Sequence, residues 1–148
     1  VDPERRPADL TRAVRLLQLA SHEATQAVAR RLGLGTNDVT ALQVIFAAPE
    51  PIGPVELGHR LGIRSASATA LVDRLAKSGH LRRAPHPQDR RRIVLEATET
   101  SWADALDALG PLLRAMDAVA DDLTPQEQAV VLRFLTDVTA TMDDFARE

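Results

Sequence analysis

At 148 residues, 45% hydrophobic and 26% charged, the chain has ordinary globular composition and is long enough for one sizeable core or two small co-folded lobes. It has no cysteine, which excludes disulfides, thiolate-rich zinc sites and thiol redox switching; its 3% aromatic content argues against single-strand binders that stack bases on aromatic platforms. The net charge of −3 hides an asymmetry: residues 1–53 balance at zero, residues 54–96 carry nine cations against four anions, and residues 97–148 carry three against eleven. A polyanion is drawn to the middle segment and repelled by the C-terminal third. Of the 18 cations, 17 are arginine, whose planar fork suits phosphate and guanine better than lysine does. No apolar run approaches the ~20 residues needed to cross a bilayer, and the polar, proline-bearing start is unlike a signal peptide. The expected location is the cytoplasm, with no membrane partner.

In chain order, Leu10, Val14, Leu17, Ala24 and Val28 recur at three- and four-residue spacing, predicting a long amphipathic helix over 8–32 that ends at Gly33 and Gly35. Thr36 or Asn37 is the expected cap of a second helix through Ala48, stopped by Pro49-Glu50-Pro51. Gly53-Pro54 opens a third, with Glu56 in its first turn, and Gly62 ends it. After a short turn at Ile63-Arg64-Ser65, a fourth helix buries Ala68, Leu71, Val72 and Leu75 before Gly79. Two helices joined this way form a helix-turn-helix. Residues 80–83 and 92–96 are the strand candidates of a hairpin with a charged tip, Gln88-Asp89-Arg90-Arg91. Thr98 is the expected cap of a fifth helix carrying Trp102, Leu109, Leu112, Leu113 and Met116, with a kink expected at Gly110-Pro111. Thr124-Pro125-Gln126-Glu127 is a capping box opening a last helix that carries Val131, Leu135, Val138, Met142 and Phe145.

The predicted fold is therefore mostly α: a winged helix-turn-helix of about six helices plus a small β-hairpin wing. Its expected DNA-binding lobe spans 36–97, and 8–33 together with 98–146 form a helical dimerisation lobe. The end helices are too few to close a bundle alone, so a second copy is expected to complete the core.

The fourth helix is the candidate recognition helix, with its N-terminal residues against base edges. Arg64, Ser65, Ala66, Ser67 and Thr69 stand there, with Arg74 and Lys77 further along. Small side chains let the helix approach closely but carry little base specificity, so readout is expected to lean on arginines and DNA shape. Ser65 and Ser67 are also ordinary helix-cap residue types. In the wing, Asp89, Arg90, Arg91 and Arg92 are the candidates: strand alternation sends neighbours to opposite faces, so one arginine can enter the minor groove while another lies on phosphate. Asp89 would repel DNA if free and reads as a brace holding an arginine, with Arg91 a candidate. His22 and Trp102 are candidates for a pocket between the lobes. The four histidines show no metal-ligand spacing, and no Ser/His/Asp or paired-carboxylate arrangement is legible, so neither metal, cofactor nor enzymatic activity is expected.

Leu61-Gly62-Ile63 leading to Leu71-Val72-Asp73-Arg74-Leu75-Ala76-Lys77-Ser78-Gly79 resembles the recognition helix of the MarR (multiple antibiotic resistance regulator) family and its exit into the wing. His86-Pro87-Gln88-Asp89-Arg90-Arg91-Arg92, followed by Val94-Leu95 and Thr98, is similar to that family's wing signature, and Leu123-Thr124-Pro125-Gln126-Glu127 to the start of its last helix. By that resemblance Asp89 is the brace and Arg91 the minor-groove arginine. Ala97 stands where the family usually has leucine, and Ser101 where glycine is common. The resemblance implies a homodimer whose first, fifth and sixth helices interlock, two winged lobes on successive major grooves of a near-palindromic duplex site, repression, and often release by a small aromatic or phenolic effector. Two other readings use the same arginines: an architectural protein coating DNA with little sequence preference, and a winged-helix module docking an acidic protein.

Overall fold

The computed structural model describes residues 8–89 and 91–147, and among these it contains six helices and one two-stranded antiparallel hairpin. Two compact units emerge, one running to Ala108 and the other beginning at Leu109. This division differs from the expected 36–97 against 8–33 with 98–146. The first helix and the start of the fifth pack with the winged elements and so fall in the first unit.

In the first unit, α1 (Asp9–Leu32) ends as predicted at Gly33, whose φ of +64° suits a residue without Cβ. α2 (Thr36–Ala47) is capped by Gly35, not by Thr36 or Asn37. The reason is Asp38 at the third helical position: its carboxylate accepts the Gly35 N–H at 3.2 Å, so the cap residue needs no side chain. α3 (Pro54–Arg60) and α4 (Ser65–Lys77) follow. The strands are β1 (Leu81–Pro85) and β2 (Ile93–Ala97), paired from Leu81↔Ala97 to Pro85↔Ile93. β1 runs two residues further toward the tip than the sequence pattern indicates, whereas β2 is shifted one residue away from it; beyond the strands His86 N–H donates to Arg92 O at 2.9 Å. Leu95 N–H also donates to Ile52 O at 2.8 Å, tying the hairpin to the chain between α2 and α3.

The core of this unit is Ala41, Leu42, Ile52, Leu57, Leu71, Val72, Leu75, Leu81 and Leu95, drawn from α2, the connection after it, α3, α4 and both strands. α5 (Glu99–Asp121) starts where Thr98 Oγ1 accepts the Ser101 N–H at 3.1 Å, and it continues as helix through Pro111. The second unit holds the later part of α5 and α6 (Pro125–Phe145). The predicted capping box is formed: Thr124 N–H donates to Glu127 Oε2 at 2.8 Å, and Glu127 N–H to Thr124 Oγ1 at 3.3 Å. No residue of α6 is buried.

Candidate nucleic-acid interface

The helix-turn-helix is built by close packing of α3 on α4. Gly58 is buried there, and a Cβ on it would lie 3.1 Å from the Ala68 Cβ, so glycine sets how near the two helices come. Gly62, with φ of +62°, turns the chain between them. α4 buries Ala68, Leu71, Val72 and Leu75, which leaves its opposite side open to solvent.

At the start of α4, Arg64 occupies the cap position and makes no side-chain cap bond. Ser65, Ala66, Ser67 and Thr69 are all exposed. The hydroxyls of Ser65 and Ser67 have no hydrogen-bond partner among the described residues, so neither serine is spent on capping. The Thr69 hydroxyl donates to Ser65 O at 3.0 Å. The first-turn N–H groups and the Ser65 and Ser67 hydroxyls are therefore left open to solvent, a natural arrangement for phosphate or base edges.

Ion pairing divides the nine cations of the basic segment. Arg60 pairs with Glu56 at 2.8 Å, Arg82 with Glu96 at 2.5 Å across the hairpin, and Arg83 with Asp73 of α4 at 2.6 Å. Arg74 grips Asp38 with two nitrogens, Nη2 to Oδ1 at 2.5 Å and Nε to Oδ2 at 3.0 Å. Those bonds first, and the carboxylate's charge second, hold the Arg74 guanidinium's pKa above its ordinary value. Arg64, Lys77, Arg91 and Arg92 are exposed and make no ion pair among the described residues. Arg90 lies outside the described residues. Apart from it, the cations left without an acidic partner are all members of the sequence-predicted set, and Arg74 is the member whose charge is already engaged.

The Asp89 carboxylate meets Arg91 at the backbone: its Oδ1 accepts the Arg91 N–H at 3.1 Å, and the Arg91 side chain makes no ion pair among the described residues. The wing is anchored at its base by Thr98, whose hydroxyl donates to Gly79 O at 2.7 Å and whose N–H donates to His80 O at 3.2 Å. The His22 ring meets Gln26 one turn along α1 at 2.9 Å, whereas Trp102 lies against Phe46 with ring centroids 4.1 Å apart. Trp102 lines an open cavity of about 410 Å³ with Phe46, Pro49, Glu50, Ile52 and Glu96, and His22 is not in its wall. Among the described residues no cluster of three or more His, Cys, Asp or Glu is placed to hold a metal ion, and no helix is long and apolar enough to cross a membrane.

The residue that sequence reasoning missed is Asp38. Its type and its place at the third position of α2 signal a helix-start acid, which is ordinarily exposed; nothing in the local sequence shows that its side chain is 4% exposed beneath Arg74.

A sequence profile of the MarR family matches residues 40–93, the stretch from α2 through the start of β2. The HTH-type transcriptional regulator YcgE of Bacillus subtilis is 32% identical over 119 residues, covering 80% of this chain and 77% of that protein. The chain belongs to the MarR family. A second Bacillus subtilis relative, the HTH-type transcriptional repressor YetL, is 27% identical over 76% of the chain and 68% of its own length. Among solved structures, a MarR protein from Peptoclostridium difficile matches with a TM-score of 0.67 at 22% identity, over 99% of this chain and 95% of that one. Apo MarR from E. coli matches at 0.60 and 23%, over 90% and 98%. These likenesses carry the fold, and the family carries the activity: this MarR-family chain is a DNA-binding transcriptional regulator, not an enzyme.

Proposed function

We propose that this regulator is a cytoplasmic homodimeric repressor that recognises a near-palindromic duplex site, its half-sites one helical turn, ~10 bp, apart. The observation that carries this reading is the coincidence, on exposed α4, of an N-terminus without a side-chain cap, unpartnered serines and unpaired Arg64 and Lys77. Ser65, Ser67 and Thr69 supply short contacts to base edges, Lys77 supports the backbone contact, and Arg91 enters the minor groove beside Arg92 and Arg90. Dimerisation is supported by α6, which carries Val130, Val131, Leu132, Leu135, Met142 and Phe145 all exposed in the single chain. Repression is supported by the name given to the relative YetL.

Release by a small aromatic or phenolic effector completes the reading. The cavity beside Trp102 and Phe46 offers aromatic faces to such a molecule. An effector acts only through unequal affinity for two spacings of the recognition helices, one in register with successive major grooves and one out of register.

The test is a genome-fragment pull-down with purified protein, followed by mobility shifts on the recovered fragments at fixed salt. Enrichment of a short near-palindrome bound by one dimer is the expected result. Uniform recovery of all fragments supports the architectural reading instead, and no recovery at moderate salt supports a protein-docking module.

A further inference from the structure

We propose that Asp38 is a positioning residue for DNA recognition: its buried carboxylate on α2 grips Arg74 and thereby sets the rotation of α4, and Arg74 serves this grip instead of contacting DNA. The proposal rests on the sequence-specific reading above and assigns within it a residue that lies away from the DNA face.

An ionised carboxylate as buried as Asp38 is held in place only when paired and hydrogen-bonded. Here both oxygens are occupied, Oδ1 by Arg74 Nη2 and Oδ2 by Arg74 Nε and the Gly35 N–H. The two-pronged, planar fit fixes the guanidinium's direction as well as its distance, which a lysine ammonium would not do. Because Gly35 N–H and Arg74 share one oxygen, the grip joins the start of α2 to the last turn of α4.

At 100° per residue, Ala66, Ala70 and Lys77 lie roughly opposite the buried stripe of Ala68, Leu71, Val72 and Leu75, whereas Arg74 lies about 110° round, on a flank. Asp73, about 150° from that stripe, pairs with Arg83 of β1. The two grips are unequal: Asp73 and Arg83 are both solvent-exposed, and an exposed pair contributes little, while Asp38 is buried. If α4 turned by about 20°, a side-chain atom ~5 Å from its axis would move by nearly 2 Å, enough to break a hydrogen bond to a base edge. Weakening Asp38 should therefore erode base readout without removing any phosphate contact.

The experiment measures binding of the full-length protein to the selected site and to a scrambled duplex of the same length, across a salt series at 25 °C, with folding checked by circular dichroism. The variants are Asp38→Asn, Arg74→Gln and the double variant Asp38→Asn/Arg74→Gln, with Arg91→Ala for comparison. The expected result is a fall of about tenfold or more in the ratio of specific to scrambled affinity for each single variant. Scrambled-duplex affinity and the slope of log K against log salt stay at wild-type values, and the double variant loses no more than the worse single. A slope reduced by about one in Arg74→Gln overturns the proposal, because it places Arg74 on a phosphate. An unchanged specificity ratio in folded Asp38→Asn overturns it too, leaving Asp38 a purely structural role. If a single variant fails to fold, the double variant, which buries no charge and keeps amide hydrogen bonds, decides: a wild-type ratio overturns the proposal. A wild-type protein that itself shows a ratio near one overturns the sequence-specific reading, which is a separate failure visible before any variant is made.

Discussion

Ser101 sits 1% exposed near the start of α5, and its hydroxyl has no hydrogen-bond partner among the described residues. A buried hydroxyl that has lost water and gained nothing costs free energy, and removing it in favour of a methyl of similar shape returns that cost. Ser101→Ala is therefore expected to leave the melting temperature unchanged or raise it, by up to about 1 kcal/mol of stability; a clear loss in thermal denaturation would show that the hydroxyl is satisfied in solution. On the DNA side the exposed arginines are expected to separate by the kind of contact they make. Arg91→Ala should weaken the selected site by about 1 to 3 kcal/mol at fixed salt, and unchanged affinity in fluorescence anisotropy would remove it from the interface. Lys77→Ala should weaken all duplexes nearly equally and lower the salt slope by about one, as expected for a cation on phosphate.

At the scale of elements, the helix-turn-helix depends on how closely α3 approaches α4. Gly58→Val would drive a branched side chain into Ala68, whose Cβ a mere methyl already meets at 3.1 Å, and into Ile63 O at 3.5 Å. A destabilisation of about 1 to 3 kcal/mol is expected from such overpacking, read as a lower denaturant midpoint with loss of DNA binding. The α6 capping box is expected to show in a pH titration. The Thr124 hydroxyl, and after it the Thr124 N–H, hold the Glu127 carboxyl below its ordinary value. A folded-state pKa that is depressed contributes stability above the unfolded value, roughly pH 4 for glutamate, and loses it as pH falls through the folded value. Glu127→Gln should therefore melt with a shallower acid dependence than wild type in that window; identical acid limbs would mean that the box contributes nothing measurable.

Local signals made much of this legible from sequence. Thr124-Pro125-Gln126-Glu127, Gly33, Gly62 and Thr98 act within a turn of where they stand, and each is found doing so. The pairing of Asp38 with Arg74 was not legible, because the two are 36 residues apart and meet only once α2 and α4 have packed. For the same reason the pairing of Arg83 on β1 with Asp73 on α4 was not legible, since it too forms only when separate elements pack.

At the scale of the whole molecule, the chain leaves a great deal of apolar surface uncovered in its second unit. Leu132 is 69% exposed and Phe145 79% exposed, and α5 presents Leu112, Leu113, Met116 and Val119. A monomeric soluble protein rarely keeps such contiguous surface in water. A second copy that covers it gains about 25 cal/mol for each Å² of apolar area removed, and makes folding of these helices depend on association. Two consequences follow. The wild-type melting temperature should rise with protein concentration, as it does when the folded state is the dimer. Leu132→Glu should dissociate the protein in sedimentation velocity and weaken the near-palindromic site far more than a single half-site, because two half-sites held by one dimer gain affinity from their linkage. The opposite outcome is equally specific. In a monomer Leu132→Glu is a surface change worth less than about 0.5 kcal/mol, and a variant that keeps its sedimentation coefficient, its melting temperature and its affinity would place the dimer contact elsewhere than on this face of α6.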